Sequence, residues 1–129
     1  MSTTPNPRAQ RMAPVDVVRR FNDAFNRRDL DDMMALMTED CVYDNTYPPP
    51  DGSKFEGQAK VRAFWEDFFK GSQDPRIEIE DIFGAGDRCA MRWTYRWGEP
   101  DGQSHHIRGV DLYRIRDGKV AEKLSYVKG

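Results

Sequence analysis

The chain has 129 residues and a formal net charge of −2; 38 % of the residues are hydrophobic and 12 % are aromatic. This length suits one domain, and the aromatic share argues against disorder, because Phe, Trp and Tyr provide burial that offsets chain entropy. The balanced charge gives no positive field that would hold the domain on nucleic acid or an anionic membrane. Neither a membrane span nor a signal peptide is recognisable, so we expect a cytoplasmic protein.

Three helices are predicted in the first part of the chain. Residues 1–12 are polar and contain two prolines, which predicts a flexible tail before a single domain over residues 13–129. Pro14 suits the first turn of a helix, and apolar residues follow it at helical spacing up to Phe25. Asp29 is placed to cap a second, shorter helix whose apolar positions run to Met37. A third helix is predicted from about Gln58 to Gly71.

Strands are predicted elsewhere, one short strand over residues 41–45 and four more after residue 76. In the second region apolar residues recur with a period of two, and Asp117-Gly118 is a strong hairpin signal between residues 105–116 and 119–127. Short turns join the last four strands without a helical crossover, so their sheet should be antiparallel. The predicted fold class is α+β, with a strongly curved sheet wrapped around the three helices.

The final hairpin determines which side chains face the helices. A two-residue turn at Asp117-Gly118 places Asp111 opposite Leu124, provided that no bulge shifts the register. Asp111 then lies on the apolar face of the sheet, and Lys123 lies on the charged outer face.

Asp111 is the strongest candidate for chemistry. A poorly solvated carboxylate accepts a proton more readily than one in water, which suits a general acid or base. The other interpretation is structural, with Asp111 paired with Arg108 or a histidine. Replacement by Asn at neutral pH separates the two interpretations, because it should lower stability only if Asp111 is ion-paired.

Other side chains are predicted to surround a pocket between the first helix and the sheet. Tyr43 and Asn45 have the same parity on the short strand, although a core tyrosine and a turn-capping asparagine would look alike. The expected lining consists of aromatic residues that share the inner face or the helical stripes: Phe21, Tyr43, Trp65, Trp93 and Tyr95. His105 is a further candidate for the pocket lining. In a strand the adjacent His105 and His106 point to opposite faces and cannot bind one metal ion together, so no metal site is expected. The two cysteines, Cys41 and Cys89, are expected to be buried and reduced.

The sequence resembles the SnoaL-like group, related to polyketide cyclases, of the nuclear transport factor 2-like superfamily. The resemblance rests on the stretches at residues 21–29, 36–43, 55–57 and 108–120. It implies a cone-shaped α+β barrel with a deep apolar pocket, commonly in a homodimer. The group includes aldol cyclases, ketosteroid isomerases, a dehydratase and limonene epoxide hydrolase.

The resemblance also implies roles for particular residues. Asp111 matches the acid–base aspartate of the cyclases, whereas Tyr43 and Asn45 match the pair that positions water in the epoxide hydrolase. Ser125 replaces an aspartate that the hydrolase needs, which makes epoxide hydrolysis the less favoured activity.

The function expected from these observations is a cofactor-free isomerase or cyclase that moves a proton on an apolar carbonyl compound. The alternative is a non-catalytic domain that binds an apolar small molecule or serves in dimerisation. A homodimer is expected through apolar residues on the sheet face opposite Asp111, namely Val110, Leu112, Ala121 and Val127.

Overall fold

The computed structural model describes residues 13–129, and the predicted tail over residues 1–12 lies outside that range. The helices are α1 (Pro14–Asn26), α2 (Leu30–Ala35) and α3 (Gln58–Gly71). The strands are β1 (Met37–Asp44), β2 (Lys54–Glu56), β3 (Gln73–Ala85), β4 (Arg88–Gly98), β5 (Ser104–Arg116) and β6 (Lys119–Val127). No helix formed by these described residues is long and apolar enough to cross a membrane.

The three predicted helices are confirmed, and local chemistry explains where they begin. Pro14 occupies the first turn of α1. The side chain of Asp29 caps α2 by accepting a hydrogen bond of 3.0 Å from the backbone N–H of Asp32. Met37 was predicted as a helical position, but it begins β1, so α2 is one turn shorter than its apolar pattern suggests.

The strands form one six-stranded sheet in the order β2-β1-β6-β5-β4-β3. The pairs among β3, β4, β5 and β6 are antiparallel, as predicted. The predicted short strand is extended at its start, and it joins the sheet by pairing with β6 in parallel. The three-residue strand β2, which the sequence pattern did not predict, pairs with the outer edge of β1. This α+β arrangement confirms the predicted fold class.

Side-chain amides fix the helices to the sheet. Asn26 accepts a hydrogen bond of 2.8 Å from Ile77 N and donates one of 2.9 Å to Ile77 O, so α1 is held against β3. Gln58, at the start of α3, donates to the carbonyl oxygens of Met34 and Met37, both at 3.0 Å. These bonds leave the apolar faces of α1 and α3 turned toward one face of the sheet, where the core lies.

A bulge in β6 overturns the predicted register of the final hairpin. Ile115 pairs with Val120 as expected, but Arg114 pairs with Glu122, so Ala121 is an extra residue. Beyond the bulge every pairing is displaced by one position. Because side chains alternate between the two faces, this displacement moves each later residue of β6 to the face opposite the predicted one.

Asp111 is therefore opposite Ser125, not Leu124, and Tyr113 is opposite Lys123, not Glu122. Asp111 keeps its predicted place on the inner face and is 1 % exposed. The prediction for Lys123 was wrong: its side chain faces inward and is buried, while Leu124 moves to the outer face.

Candidate functional site

A cavity of about 400 Å³ lies on the inner face of the sheet, mainly against α3 and not against α1 as predicted, because α1 contributes only Phe25 to its lining. Its wall is mostly aromatic, and its two charged side chains come from β5 and β6. The lining residues are Phe25, Tyr43, Asn45, Thr46, Tyr47, Phe64, Trp65, Phe68, Ile77, Trp93, Tyr95, Ile107, Asp111, Lys123 and Ser125. A volume of this size accommodates a small organic molecule rather than one or two water molecules.

The polar centre of the cavity is an ion pair between Asp111 and Lys123. Lys123 Nζ lies 2.9 Å from Asp111 Oδ2, and the two side chains are 6 % and 1 % exposed. The same ammonium group donates a hydrogen bond of 3.1 Å to the hydroxyl oxygen of Ser125. The bulge at Ala121 brings these groups together, because without it Lys123 and Ser125 would face outward.

Aromatic rings surround the ammonium group of Lys123. Its nitrogen lies 4.6 Å from the ring centre of Tyr43, 5.8 Å from that of Trp65 and 5.9 Å from that of Tyr113. The negative faces of such rings attract a cation, most strongly where water is excluded. The carboxylate of Asp111 and the aromatic faces together replace the water that a buried ammonium group would lose.

Two buried tyrosines complete the polar centre. The hydroxyl of Tyr113 donates a hydrogen bond of 3.2 Å to Asp111 Oδ2. Burial, followed by the nearby Asp111 charge, raises the pKa of Tyr113 well above its ordinary value. The same two causes, again in that order, raise the pKa of Tyr43. Both hydroxyls therefore stay protonated at neutral pH and act as hydrogen-bond donors.

Tyr43 and Asn45 line the cavity together, as their parity predicted. The hydroxyl of Tyr43 donates a hydrogen bond of 2.9 Å to Asn45 Oδ1. Asn45 Oδ1 also accepts a bond of 2.8 Å from the backbone N–H of Thr46. The asparagine thus has both of the properties considered from the sequence: it borders the cavity and it holds the turn that follows β1.

Three buried polar atoms in residues that line the cavity have no hydrogen-bond partner. They are Asp111 Oδ1, Trp65 Nε1 and Trp93 Nε1, and they are the buried side-chain nitrogen and oxygen atoms without a partner among residues 13–129. Leaving a buried polar atom unpaired costs free energy, so such atoms call for an explanation. One acceptor and two donors beside a small-molecule cavity are chemically complementary to a polar organic ligand.

The predicted site residues divide into two groups. Six of them line the cavity: Tyr43, Asn45, Trp65, Trp93, Tyr95 and Asp111. Phe21 does not, because it is buried in the core beside the cavity. His105 does not either: its side chain is 43 % exposed and its Nε2 lies 3.9 Å from Glu99 Oε1. The structural partner proposed for Asp111 was also wrong, since Arg108 binds Glu80 at 2.6 Å.

Lys123 is the functional candidate that the sequence reasoning missed. One signal was available, because Val120 and Ala121 are adjacent small apolar residues that interrupt the alternation of β6. The apolar Leu124 and the charged Lys123 favoured the opposite register, in which Lys123 faces water.

The two cysteines are buried free thiols, and the described residues form no metal site. Cys41 and Cys89 are both buried and free, and burial raises the pKa of each thiol. Among residues 13–129 no group of three or more His, Cys, Asp or Glu side chains is placed to hold a metal ion.

The outer face of the sheet is more apolar than a freely solvated face requires. Pairing across β5 and β6 brings Val110 next to Tyr126 and Leu112 next to Leu124, and Tyr126 is 55 % exposed. The bulge removes two of the residues predicted for this face. Ala121 is buried, and Val127 pairs with Gly109, which places Val127 on the same face of the sheet as Asp111.

The SnoaL-like domain family matches residues 18–123 of the chain. The chain therefore belongs to the SnoaL-like domain family, and the resemblance in its sequence is confirmed. A search of curated proteins finds no match.

Solved structures show the same fold. A nuclear transport factor 2-like protein of unknown function from Mesorhizobium loti is 36 % identical, with 98 % of this chain and 97 % of that chain covered and a TM-score of 0.75. A candidate polyketide cyclase from Pseudomonas putida is 23 % identical, with 91 % and 92 % covered and a TM-score of 0.79. A candidate ketosteroid isomerase from Kribbella flavida is 18 % identical, with 90 % and 78 % covered and a TM-score of 0.75.

Proposed function

We propose that this protein is a cofactor-independent isomerase or cyclase that moves a proton on an apolar carbonyl compound, with Asp111 as the acid–base group. The observation that carries the proposal is that the two carboxylate oxygens of Asp111 differ in their hydrogen-bond partners. Oδ2 is held by Lys123 and Tyr113, whereas Oδ1 is buried without a partner in a residue that lines the cavity. Oδ1 is therefore the atom that reacts with the substrate.

In the proposed step, Oδ1 removes a proton from the carbon next to the substrate carbonyl. The electron pair of that C–H bond moves to the carbonyl oxygen and forms an enolate. In an isomerase the protonated carboxyl then returns the proton to another carbon. In a cyclase the enolate carbon attacks a second carbonyl, and the oxygen of that carbonyl takes up the proton from the carboxyl of Asp111. The indole N–H groups of Trp65 and Trp93 are buried without a partner in residues that line the cavity, and in this proposal one of them donates a hydrogen bond to the developing oxyanion.

The lining restricts the class of substrate. Asp111 and Lys123 carry opposite charges, so the polar centre has no net charge that would select an anion or a cation. The remaining wall is mainly aromatic, which favours a flat, apolar molecule that carries a carbonyl group. One neighbour of this fold, TerC, was co-crystallised with polyporic acid, which supports a small organic ligand as the occupant.

Proton exchange tests this function without knowledge of the natural substrate. The probe is α-tetralone, a bicyclic aromatic ketone, in deuterated buffer, and NMR follows deuterium incorporation next to its carbonyl. We expect the protein to accelerate exchange and Asp111→Asn to reduce the rate by at least about a hundredfold. Circular dichroism and ketone titration check that the variant is folded and binds. Binding of the ketone without accelerated exchange would overturn the proposal.

The second candidate function is a non-catalytic domain that binds an apolar small molecule. The ion pair itself favours it, because a carboxylate engaged by Lys123 and Tyr113 also holds neighbouring strands together. In that case α-tetralone or a related ketone would bind, and Asp111→Asn would change stability without any catalytic rate to lose.

We further propose that the protein is a cytoplasmic homodimer that uses the outer face of the sheet. Exposed aromatic side chains support the dimer. Phe83 is 63 % exposed and Tyr126 is 55 % exposed, on the face that also carries Leu112 and Leu124. Light scattering should then report twice the mass of the chain, and Tyr126→Lys should shift the protein toward monomer. A wild-type mass of 15.0 kDa at micromolar concentration would contradict the dimer.

A further inference from the structure

Lys123 is unlike every other lysine of the chain. The sequence contains six lysines, all within residues 13–129, and five of them are exposed. Lys123 is 5 % exposed and borders the cavity beside Asp111. A primary amine in an apolar site next to a proton acceptor is the arrangement by which proteins form imines with carbonyl compounds.

We propose that Lys123 captures the carbonyl substrate covalently, as an imine on its Nζ. This inference rests on the proposed function in one respect, the carbonyl group of the substrate. It adds a covalent step and a second reacting residue, and removal of the proton by Asp111 then gives an enamine in place of the enolate.

The step balances with the groups that are present. Asp111 Oδ2, 2.9 Å away, accepts a proton from the ammonium group, and the neutral amine attacks the carbonyl carbon. The proton passes to the former carbonyl oxygen, giving a carbinolamine. The nitrogen lone pair then expels that oxygen, which leaves as water after taking up a proton from the nitrogen. The net change is one ammonium group and one carbonyl converted into one iminium ion and one water molecule.

Imine formation leaves the positive charge at Nζ unchanged, which suits the surroundings of this nitrogen. The iminium nitrogen carries the same positive charge as the ammonium nitrogen that it replaces. It therefore keeps its attraction to the carboxylate of Asp111 and to the ring of Tyr43, whose centre lies 4.6 Å from Nζ. While the amine is neutral, Asp111 holds its proton and is neutral as well, so no unpaired charge is buried at that stage.

The imine also increases the reactivity on which the proposed function depends. An iminium ion withdraws electrons more strongly than the parent carbonyl, so the neighbouring C–H bond becomes more acidic. Asp111 remains beside Nζ and has an unpartnered Oδ1 to remove that proton. The two residues then act in sequence on one bound molecule.

Reductive trapping tests the proposal independently of turnover. The full-length protein is mixed with equimolar naphthaldehyde, an apolar aromatic aldehyde, and with sodium cyanoborohydride, which reduces an iminium ion to a stable secondary amine. Intact mass and peptide mapping then locate the adduct. We expect Lys123 to be labelled at least about tenfold faster than any exposed lysine.

Two variants control this experiment. Lys123→Arg keeps a cation beside Asp111 but offers no primary amine, so its fast labelling phase should disappear. Lys119→Arg removes an exposed lysine of the same strand and should leave that phase unchanged. If Lys123→Arg fails to fold, peptide mapping of the wild-type protein still decides. Labelling that follows exposure and omits Lys123 would overturn the imine.

The two proposals fail in distinguishable ways. Accelerated exchange of α-tetralone without trapping at Lys123 would remove the imine and leave proton transfer by Asp111. Trapping at Lys123 without accelerated exchange would keep the imine and remove the isomerase or cyclase function.

Discussion

Arg96 and Glu78, on the outer face of the sheet, form an ion pair of the same length as Asp111 and Lys123 on the inner face. Both nitrogen–oxygen distances are 2.9 Å. The outer side chains are 51 % and 49 % exposed, whereas the side chains of Lys123 and Asp111 are 6 % and 1 % exposed. The two faces of one sheet thus place cation–carboxylate contacts of the same length in water and in an aromatic cavity.

Burial, rather than distance, determines how much such an ion pair contributes to stability. In water each charge is solvated whether or not its partner is present, so the pair contributes little. In the cavity each charge depends on the other, because only Ser125, Tyr113 and the aromatic rings replace the missing water. The inner pair is therefore costly to break, and it is also the one whose groups can meet a ligand.

Breaking the inner pair should have the largest effect on stability. Asp111→Asn leaves the ammonium group of Lys123 buried without its anion, and we expect the free energy of unfolding to fall by about 3–5 kcal/mol at neutral pH. This is the outcome that the sequence assigned to an ion-paired Asp111. Urea unfolding at constant temperature measures it.

A double variant serves as the matched control. In Asp111→Asn combined with Lys123→Met both charges are gone, and a neutral pair of similar volume should recover most of the lost stability. If the double variant is as unstable as the single one, the loss comes from packing rather than from an unpaired charge.

A change of packing alone should have the next largest effect. A Cβ atom at position 109 would collide with the backbone carbonyl oxygen of Tyr126 on β6 and would lie 2.6 Å from Trp93 Cζ2 and 2.7 Å from Trp93 Cη2. Gly109→Ala must therefore displace both the neighbouring strand and a wall of the cavity. We expect a loss of about 1–3 kcal/mol from overpacking, together with weaker binding of α-tetralone.

Gly98→Ala is the control for that prediction. At this glycine the nearest atom to a built Cβ is Gln73 O at 3.8 Å, so the substitution should be tolerated. Equal destabilisation by the two variants would mean that loss of glycine in a strand, not contact with Tyr126 and Trp93, causes the effect. Urea unfolding and ketone titration of both variants provide the measurements.

Much of this fold could be predicted from the sequence because its elements have strong local patterns. Pro14 and Asp29 determine helix starts, and Asp117-Gly118 determines a hairpin. The pairing of β1 with β6 could not be predicted in this way. It joins segments far apart in the chain, so no local sequence pattern marks it.

The site was predicted only in part, for a related reason. Asp111 lies on β5 before the bulge, so its face followed from simple alternation. Lys123 lies beyond the bulge on a strand whose inward positions are polar, since Lys123 and Ser125 face the cavity while Leu124 faces outward. The buried polar residues beside the cavity thus reversed the usual hydrophobic pattern of β6, and the pattern pointed to the wrong face.

The buried hydroxyls provide a third test, through pH. Burial raises the pKa of Tyr113 above that of the unfolded chain, so its contribution to stability is fully present below about pH 10 and is lost as pH rises toward the folded-state pKa. Over that interval the unfolded chain has released the proton that the folded protein retains. Tyr43 and Tyr95 also have raised pKa values and should act in the same direction.

Tyr113→Phe should therefore flatten the alkaline decline by about 1.4 kcal/mol per pH unit above about pH 10. Urea unfolding of the wild type and the variant between about pH 9 and pH 11 gives the two slopes. Parallel slopes would show that the hydroxyl of Tyr113 ionises as readily in the folded protein as in the unfolded chain.

The smallest effect is expected at the outer pair. Glu78→Gln removes one charge of a contact as short as the one between Lys123 and Asp111, yet Arg96 keeps its water, so we expect a change below about 0.5 kcal/mol. Added salt should make this small change smaller still, because it screens exposed charges. The cost of Asp111→Asn should respond much less to salt. Urea unfolding of both variants at low and high ionic strength makes the comparison direct. A loss at Glu78 as large as the loss at Asp111 would mean that the length of an ion pair, and not its removal from water, determines its contribution in this sheet.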